Sequence, residues 1–119
     1  MSENKEYVSQ NVENGSIHIS EEVVGAIVSM AVRDVEGVYG LYTNVGKKNA
    51  VKSVRLVISE NNDISIDCYI VALYGYSVVE VAKNVQEAVA TTVESTTGCR
   101  VAGVNVSVSA LSMPKDNKK

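Results

Sequence analysis

Few side chains in this sequence could do chemistry, and they lie far apart along the chain. The one histidine, His18, stands between Ile17 and Ile19. In a strand this alternation directs the imidazole away from its two apolar neighbours, which predicts an exposed histidine. General acid-base or nucleophilic catalysis needs a nucleophile with a base within reach. The sequence shows no such combination, so we predict that the chain is not an enzyme and has no catalytic residue.

The two cysteines do not follow a metal-binding pattern. Cys68 and Cys99 are 31 positions apart, with the histidine elsewhere, whereas a zinc site needs about four ligands at short spacing. The pair could form one disulfide, but a start without a secretory signal favours two free thiols. Cys68 alternates with Ile66 and Ile70, which indicates a core position. We predict no metal site.

Signals for phosphate or nucleic-acid binding are weak. The stretch from Gly37 to Gly40 has the spacing of a GxxG clamp, but the Val-Tyr between the glycines brings no cation to a phosphate. Neither a Walker loop nor a complete GxGxxG motif occurs. Lys47, Lys48 and Lys52 could touch an anionic surface, although such a group on a loop is more often a solvated one. With a formal charge of −3 and a pI near 5.1, we predict no cofactor and no nucleic-acid partner.

Length and composition predict one cytoplasmic domain. The chain has 119 residues, of which 45% are apolar, with 23 valines and 7 isoleucines against 4 leucines; this bias is typical of strands. Polar ends predict a flexible arm over 1–15 and a flexible basic tail over 112–119, flanking a folded domain at 16–111. The start lacks a signal-peptide pattern and no run of 18 apolar residues occurs, so secretion and direct membrane insertion are not expected.

The hydrophobic periodicity predicts an α+β fold in the order β-α-β-β-α-β. Each of two helices carries one apolar stripe, and both must be buried against one face of a small mixed sheet, which gives a two-layer domain. Between the first helix and the next strand, a glycine-rich stretch without periodicity predicts a loop. The expected elements are a strand at 17–19, a helix from Ser20 to Gly37, strands at 54–58 and 64–72, a helix from Ser77 to Gly98 and a strand at 104–110.

Two carboxylates are predicted near the C-terminal end of the first helix, where a negative charge is unfavourable. Asp34 and Glu36 are expected in the last turn of the first helix, where the helix dipole is negative and each unpaired carboxylate costs roughly 0.3 to 1 kcal/mol. One interpretation is a pair with Arg33, Arg55 or Arg100. The other is that the two carboxylates form a secondary docking feature.

The segment DCYIVALYGY, from Asp67 to Tyr76, is apolar on both sides. Because both helices are expected on one face of the sheet, the other side of this strand should form an exposed apolar patch, and such patches usually mark interfaces. The alternative is that the loop at 38–51 folds over the patch. The predicted interaction surface consists of Val57, Tyr69, Val71, Leu73, Tyr74 and Tyr76.

Several motifs together resemble the alkaline shock protein family of Gram-positive bacteria, small cytosolic proteins linked to cell-envelope stress. The resemblance covers about residues 15–111. It depends on the I-x-I-S-x-x-V opening at 17–23, V-E-G-V at 35–38, Y-G at 74–75, V-A-x-N-V-Q at 81–86 and V-N-V at 104–106. The chain departs from the family in its hydrophilic loop NVGKKNAVKS, where members vary in length.

The resemblance implies a non-enzymatic structural or adaptor protein that forms homo-oligomers and can be held at the membrane by a separate membrane-spanning tether protein. It supplies no catalytic, cofactor-binding or metal-binding residue. Some short members are tied to lipid metabolism, so the alternative is a regulatory adaptor that binds an enzyme of fatty-acid or phospholipid metabolism. For that alternative, Asp34 and Glu36 would supply the charged part of the docking surface.

Overall fold

A computed structural model describes residues 7–42 and 53–113. They form a small two-stranded sheet and a four-stranded sheet with two helices. The elements are β1 (Tyr7–Val12), β2 (Gly15–Ser20), α1 (Glu21–Arg33), β3 (Val38–Leu41), β4 (Val54–Ile58), β5 (Ile64–Leu73), α2 (Val78–Thr97) and β6 (Val101–Ser112).

Both helices begin where the sequence places a capping serine. The hydroxyl of Ser20 accepts a hydrogen bond from the Val23 N–H at 3.2 Å, and Ser77 does the same for Glu80 at 3.3 Å, which satisfies donors that have no partner within the helix. Helix α2 ends at Gly98 in the left-handed conformation, with φ of 76°. Helix α1 is shorter than predicted, because it ends at Arg33 rather than Gly37.

Strand β5 is the centre of the larger sheet. Along one edge it pairs antiparallel with β4 at 64–68 and with β3 at 70–72, so these two short strands lie end to end. Along the other edge it pairs with β6 in parallel over its whole length. A parallel neighbour needs a long crossover, and α2 is that crossover.

The core lies between the helices and one face of β5. On β5, alternate residues from Ile64 to Ala72 are fully buried, and they meet the valine stripes of α1 and α2. The prediction of an α+β domain with two helices on one face of a mixed sheet is therefore confirmed. The helix residues buried in this core are Val24, Val28, Ala31 and Val32 of α1 and Val81, Val85, Val89 and Val93 of α2.

Two strands were missed in the sequence. Residues 7–15, assigned to the flexible arm, contain β1, which pairs with β2 and buries Val8 completely. Polar side chains hold it: Asn62 accepts a hydrogen bond from the Ser9 N–H at 3.2 Å, and Gln10 donates one to the Thr97 carbonyl at 3.1 Å. The arm looked unstructured because only one of its apolar side chains is fully buried.

The other missed strand, β3, lies within the predicted loop. Its hydrogen-bond partner is the half of β5 that the shorter β4 leaves unpaired. Whether a segment pairs with the far end of a long strand depends on the tertiary structure. The glycines in this segment favoured the prediction of a loop. The remainder of the predicted loop, 43–51, and of the predicted tail, 114–119, lies outside the described residues, whereas Ser112 still belongs to β6.

Candidate interaction surface

The face of β5 opposite the helices carries the residues that the sequence singled out. Tyr69, Val71 and Leu73 alternate with Cys68, Ile70 and Ala72, which are fully buried. The side chains of Tyr69, Val71 and Leu73 are half-buried, and Val57 of β4 on the same side is 48% exposed. We call these four residues, Val57, Tyr69, Val71 and Leu73, the outer face. No element among residues 7–42 and 53–113 packs over it.

The neighbours of the outer face are small. Val71 lies between Gly40 of β3 and Ala110 of β6. A Cβ built on Gly40 would meet no heavy atom within 4 Å, so this part of the surface is open. Tyr69 and Leu73 lie beside Ser107 and Ser112. Tyr69, Val71 and Leu73 of the outer face therefore form a shallow apolar strip bordered by small residues.

The other end of the same side is polar. Arg55 of β4 lies opposite Asp67 of β5, and Asp67 accepts a hydrogen bond of 2.8 Å from the Asn105 amide on β6. Val57 lies one step further along, opposite Ser65. The apolar strip thus begins at Tyr69 and runs toward the β3 end of the sheet, with Val57 set apart from it.

The predicted cover of this strip is only partly within the described residues. Val38–Leu41, the first part of the loop that could have folded over the strip, lies in the plane of the sheet as β3. At the junction between β3 and β4, the Tyr69 backbone bonds to both flanking residues: it accepts from the Tyr42 N–H at 2.8 Å and donates to the Ser53 carbonyl at 2.9 Å. Residues 43–51 of the proposed cover lie outside the described residues.

Tyr74 and Tyr76 belong to a different part of the molecule from the outer face. Both follow β5 in the turn before α2, and the Tyr74 N–H donates to the Ser112 carbonyl at 3.0 Å. The ring of Tyr76 packs beside Gly37, where a Cβ would lie 3.1 Å from it, and its hydroxyl donates a 3.5 Å hydrogen bond to Glu36. These two tyrosines therefore mark the end of the sheet rather than its face.

One exposed aromatic near the outer face escaped the sequence analysis. Tyr39 is 68% exposed and is the extra residue at a bulge in β3, between Val38 and Gly40. Its position depends on how β3 pairs with β5, and β3 was predicted as loop. The local sequence carries no signal for this, because the burial of Val38 and the exposure of Tyr39 are set by the fold.

The structure places the two docking candidates after α1 rather than in its last turn. Asp34 is the C-cap, and its N–H bonds to the Ala31 and Val32 carbonyls. Glu36 accepts the hydrogen bond from Tyr76. The proposed pair with Arg100 is wrong, because that guanidinium pairs with Asp63 at 3.2 Å. Within the described part of the chain, neither carboxylate has a cationic partner.

The remaining chemistry-bearing residues are dispersed. His18 is exposed, as predicted, and stacks on Tyr7 of β1 with ring centroids 4.4 Å apart. Cys68 and Cys99 are free and buried. Burial, together with the charge of Asp67, raises the pKa of the Cys68 thiol to about 12, so it is not a thiolate at neutral pH. Among residues 7–42 and 53–113, no three potential metal ligands come together.

No helix in the described ranges is long and apolar enough to cross a membrane.

Comparison with known proteins identifies relatives along nearly the whole chain. The uncharacterized protein Spy1614 of Streptococcus pyogenes serotype M6 is 32% identical over 120 residues, which cover 92% of this chain and 98% of the relative. The uncharacterized protein YloU of Bacillus subtilis strain 168 is 36% identical over 104 residues, covering 79% and 86%.

Solved structures support the fold. MamM-CTD 215-293 superposes with a TM-score of 0.51 at 25% identity, covering 75% of this chain and 96% of that chain. A variant of the same MamM domain gives the same TM-score and identity. The sequence profile of the ASP23 (alkaline shock protein) family, described as having a cell envelope-related function, matches residues 9–113. The chain therefore belongs to the ASP23 family.

Proposed function

We propose that this protein is a non-enzymatic structural or adaptor protein that associates with copies of itself through the outer face. The observation that supports this most directly is the strip Tyr69, Val71 and Leu73, which is apolar although no described element covers it. Removing such a strip from water is favourable in rough proportion to its apolar area. Because Gly40 and Ala110 leave Val71 accessible, the strip can receive side chains from another molecule.

The distribution of reactive groups supports a role without catalysis. His18 is on the β1–β2 hairpin, whereas Cys68 is in the core with a raised pKa. General acid-base and nucleophilic mechanisms need such groups within hydrogen-bond reach of one another. A protein that acts by assembly needs a surface rather than such a cluster.

The proposed place of action is based on the family description. Its described function is cell envelope-related, and the chain has no membrane-spanning helix among its described residues. We propose that the protein is cytoplasmic and reaches the membrane through a separate membrane-spanning protein. Residues of the outer face that are free after self-association would be available to that tether.

The test is the mass of the purified chain in solution. Light scattering coupled to size-exclusion, over a hundredfold range of concentration, should give a mass above 12.7 kDa that is reduced when Val71 and Leu73 are both replaced by lysine. The matched control replaces Val23 and Met30 by lysine, since these are exposed apolar residues on α1. A chain that is monomeric at every concentration, or an unchanged mass for the Val71/Leu73 variant, would exclude the outer face.

A second variant separates lost association from lost folding. Gly40→Glu adds a charged side chain beside Val71 in space that is open within the domain, so the fold keeps all its contacts. We expect this variant to have the circular dichroism spectrum of the parent chain and a reduced mass.

The alternative function is a regulatory adaptor for an enzyme of fatty-acid or phospholipid metabolism. The observation that favours it is the exposed Asp34, which has no cationic partner in the described ranges. Recovery of such an enzyme from cell extract in amounts comparable to the bait, lost on replacing Asp34 and Glu36 by Asn and Gln, would support this alternative. Recovery of the chain alone would support the structural role.

A further inference from the structure

Among the described residues, the long strand β6 has one edge without a neighbouring strand. It spans Val101–Ser112 and pairs with β5 only, within the described part of the chain. Side chains of α2 bond to the beginning of the other edge: Glu94 accepts from the Val101 N–H and Gln86 donates to the Val104 carbonyl, both at 2.9 Å. These bonds show that the two backbone groups point away from β5.

The next backbone groups on this edge have no such partner in the described ranges. The register between β5 and β6 is regular from Gly103 to Val108, and in a regular strand every second residue directs its N–H and C=O to the same edge. Val106 and Val108 therefore direct theirs to the same side as Val104. No hydrogen bond from the described residues reaches them there. An unpaired row of this kind is a template for another strand.

The sequence of β6 does little to prevent such pairing. Natural sheet edges are usually protected by short strands, charged side chains or proline. β3 has four residues and a bulge, and β4 has five residues with Arg55 exposed. β6 has twelve residues, VAGVNVSVSALS, with neither a charge nor a proline. Its one irregularity beyond the region bonded by α2 is a register shift after Val108.

We propose that this edge of β6 pairs antiparallel with the same edge of a second copy of the chain, around a two-fold axis at Ser107. Val106 of one copy then lies opposite Val108 of the other, and each donates and accepts a backbone hydrogen bond. Ser107 lies opposite Ser107 in the intervening pair. The edge is self-complementary because it has no charges, so no like charges meet across the axis.

Helix α2 points to a second copy rather than to an unrelated strand. Gln86 is beside Val104, and Ser107 is ~10 Å further along β6, a distance that corresponds to about seven residues of helix. Because α2 runs back along β6, the residues level with Ser107 are Val79 and Glu80. Val79 is 62% exposed.

The side of α2 that faces this edge of β6 carries an apolar residue near the axis. Lys83 lines the cleft between α2 and β6 together with Gln86, and Val79 and Glu80 precede Lys83 by four and three positions, which places all of them on one side of the helix. The axis brings Val79 of the two copies toward each other.

The edge contact is separate from the outer face and does not depend on the proposed function. A two-fold contact alone stops at two copies, whereas two different two-fold contacts on one chain extend into larger assemblies. If both contacts form, the chain has the means to build an extended array. If only the edge contact forms, the assembly is a dimer with a continuous eight-stranded sheet.

Cysteine cross-linking tests the axis. Ser107→Cys should form a disulfide-linked dimer under mild oxidation, because residues opposite each other at this kind of position have Cα atoms about 4.5 Å apart. The control is Ser65→Cys, an exposed residue on the same side of the sheet but on β5. The cross-link should persist when Val71 and Leu73 are lysine. Equal linking of the two cysteine variants, linking that disappears with the Val71/Leu73 replacement, or no linking would overturn the proposal.

A second variant tests the contact without altering β6. In the Val71/Leu73 lysine background, the chain should have twice its monomer mass, and Val79→Lys should raise the dissociation constant by about tenfold or more. Val23→Lys, an exposed valine on α1, is the control and should have no effect. A monomer in that background, or equal dissociation constants for the two lysine variants, would exclude edge pairing. Neither result tests the outer face. That face is tested by comparing the mass of the parent chain with the mass of its Val71/Leu73 variant.

Discussion

The two faces of β5 have similar side chains and different surroundings. On one face, Ile66, Cys68 and Ile70 are fully buried under the helices. On the other, Tyr69, Val71 and Leu73 are half-buried, and no described element covers them. A strand that is apolar on both faces is usual in sheets covered on both sides. Here both helices lie on one side, and among the described residues the second face is uncovered, which is the basis of the proposed self-association.

The largest expected effect contrasts the two faces directly. Ile66→Ala should lower the free energy of unfolding by ~2–5 kcal/mol, because it leaves a cavity in the core. Val71→Ala should change it by less than ~1 kcal/mol in the monomer. Urea unfolding of both variants at low protein concentration measures the difference. Equal losses would mean that Val71 is packed as tightly as Ile66.

Two glycines extend the contrast to β3 and the turn before it. Gly37 has φ of +94°, and a Cβ there would lie 2.6 Å from Val81 Cγ2 on α2, whereas Gly40 on the outer side faces open space. Gly37→Ala should destabilise the fold by more than about 1 kcal/mol. Gly40→Ala should be neutral within ~0.5 kcal/mol. Thermal unfolding measures both variants. A lower melting temperature for Gly40→Ala than for Gly37→Ala would contradict this prediction.

The inner face also predicts a pH dependence. Burial and Asp67 raise the pKa of Cys68 from 9.0 to about 12 in the folded chain, so above pH 9 the unfolded chain releases a proton that the folded chain retains. Stability should therefore fall as pH rises from 9 toward 12, by ~1.4 kcal/mol per unit for this one group.

Cys68→Ala isolates that contribution. The difference in unfolding free energy between the parent chain and this variant should be constant below pH 8 and should change above pH 9 in favour of the variant. A difference that stays constant up to pH 11 would show that the thiol is accessible to water.

The smallest effect is expected at the exposed end of the sheet. The Arg100 side chain in the pair with Asp63 is 71% exposed, and exposed ion pairs contribute little because water and salt screen them. Arg100→Ala should change the unfolding free energy by less than ~0.5 kcal/mol. A loss of unfolding free energy comparable to that of Ile66→Ala would show that solvent exposure does not weaken the Arg100–Asp63 ion pair.

Local sequence patterns predicted much of the fold and part of the surface. Ser20, Ser77 and Gly98 mark helix ends because capping is a local interaction. The alternation along β5 separated Cys68 from Tyr69 correctly. Tyr74 and Tyr76 were grouped with the outer face because the sequence cannot show that β5 ends at Leu73 and that the chain then turns toward Gly37.

The errors have a common physical cause. β1 is held by Asn62 and by the backbone at Thr97, which are remote in sequence from Ser9 and Gln10. β3 exists because β4 pairs with only half of one edge of β5. Arg100 pairs with Asp63 rather than with Asp34 because strand pairing brings the start of β6 beside the turn before β5. Each depends on which segments become neighbours after folding.

Periodicity, capping residues and the absence of clustered reactive groups were readable from the chain alone, because each depends on residue type and short spacing. They predict two one-sided helices, a mixed sheet and an uncovered apolar strand. Strand order was not readable, because backbone hydrogen bonds between strands are nearly independent of side-chain identity. Folding therefore decided that β5 is central, that β3 and β4 share one of its edges, and that within residues 7–42 and 53–113 no strand pairs with the second edge of β6.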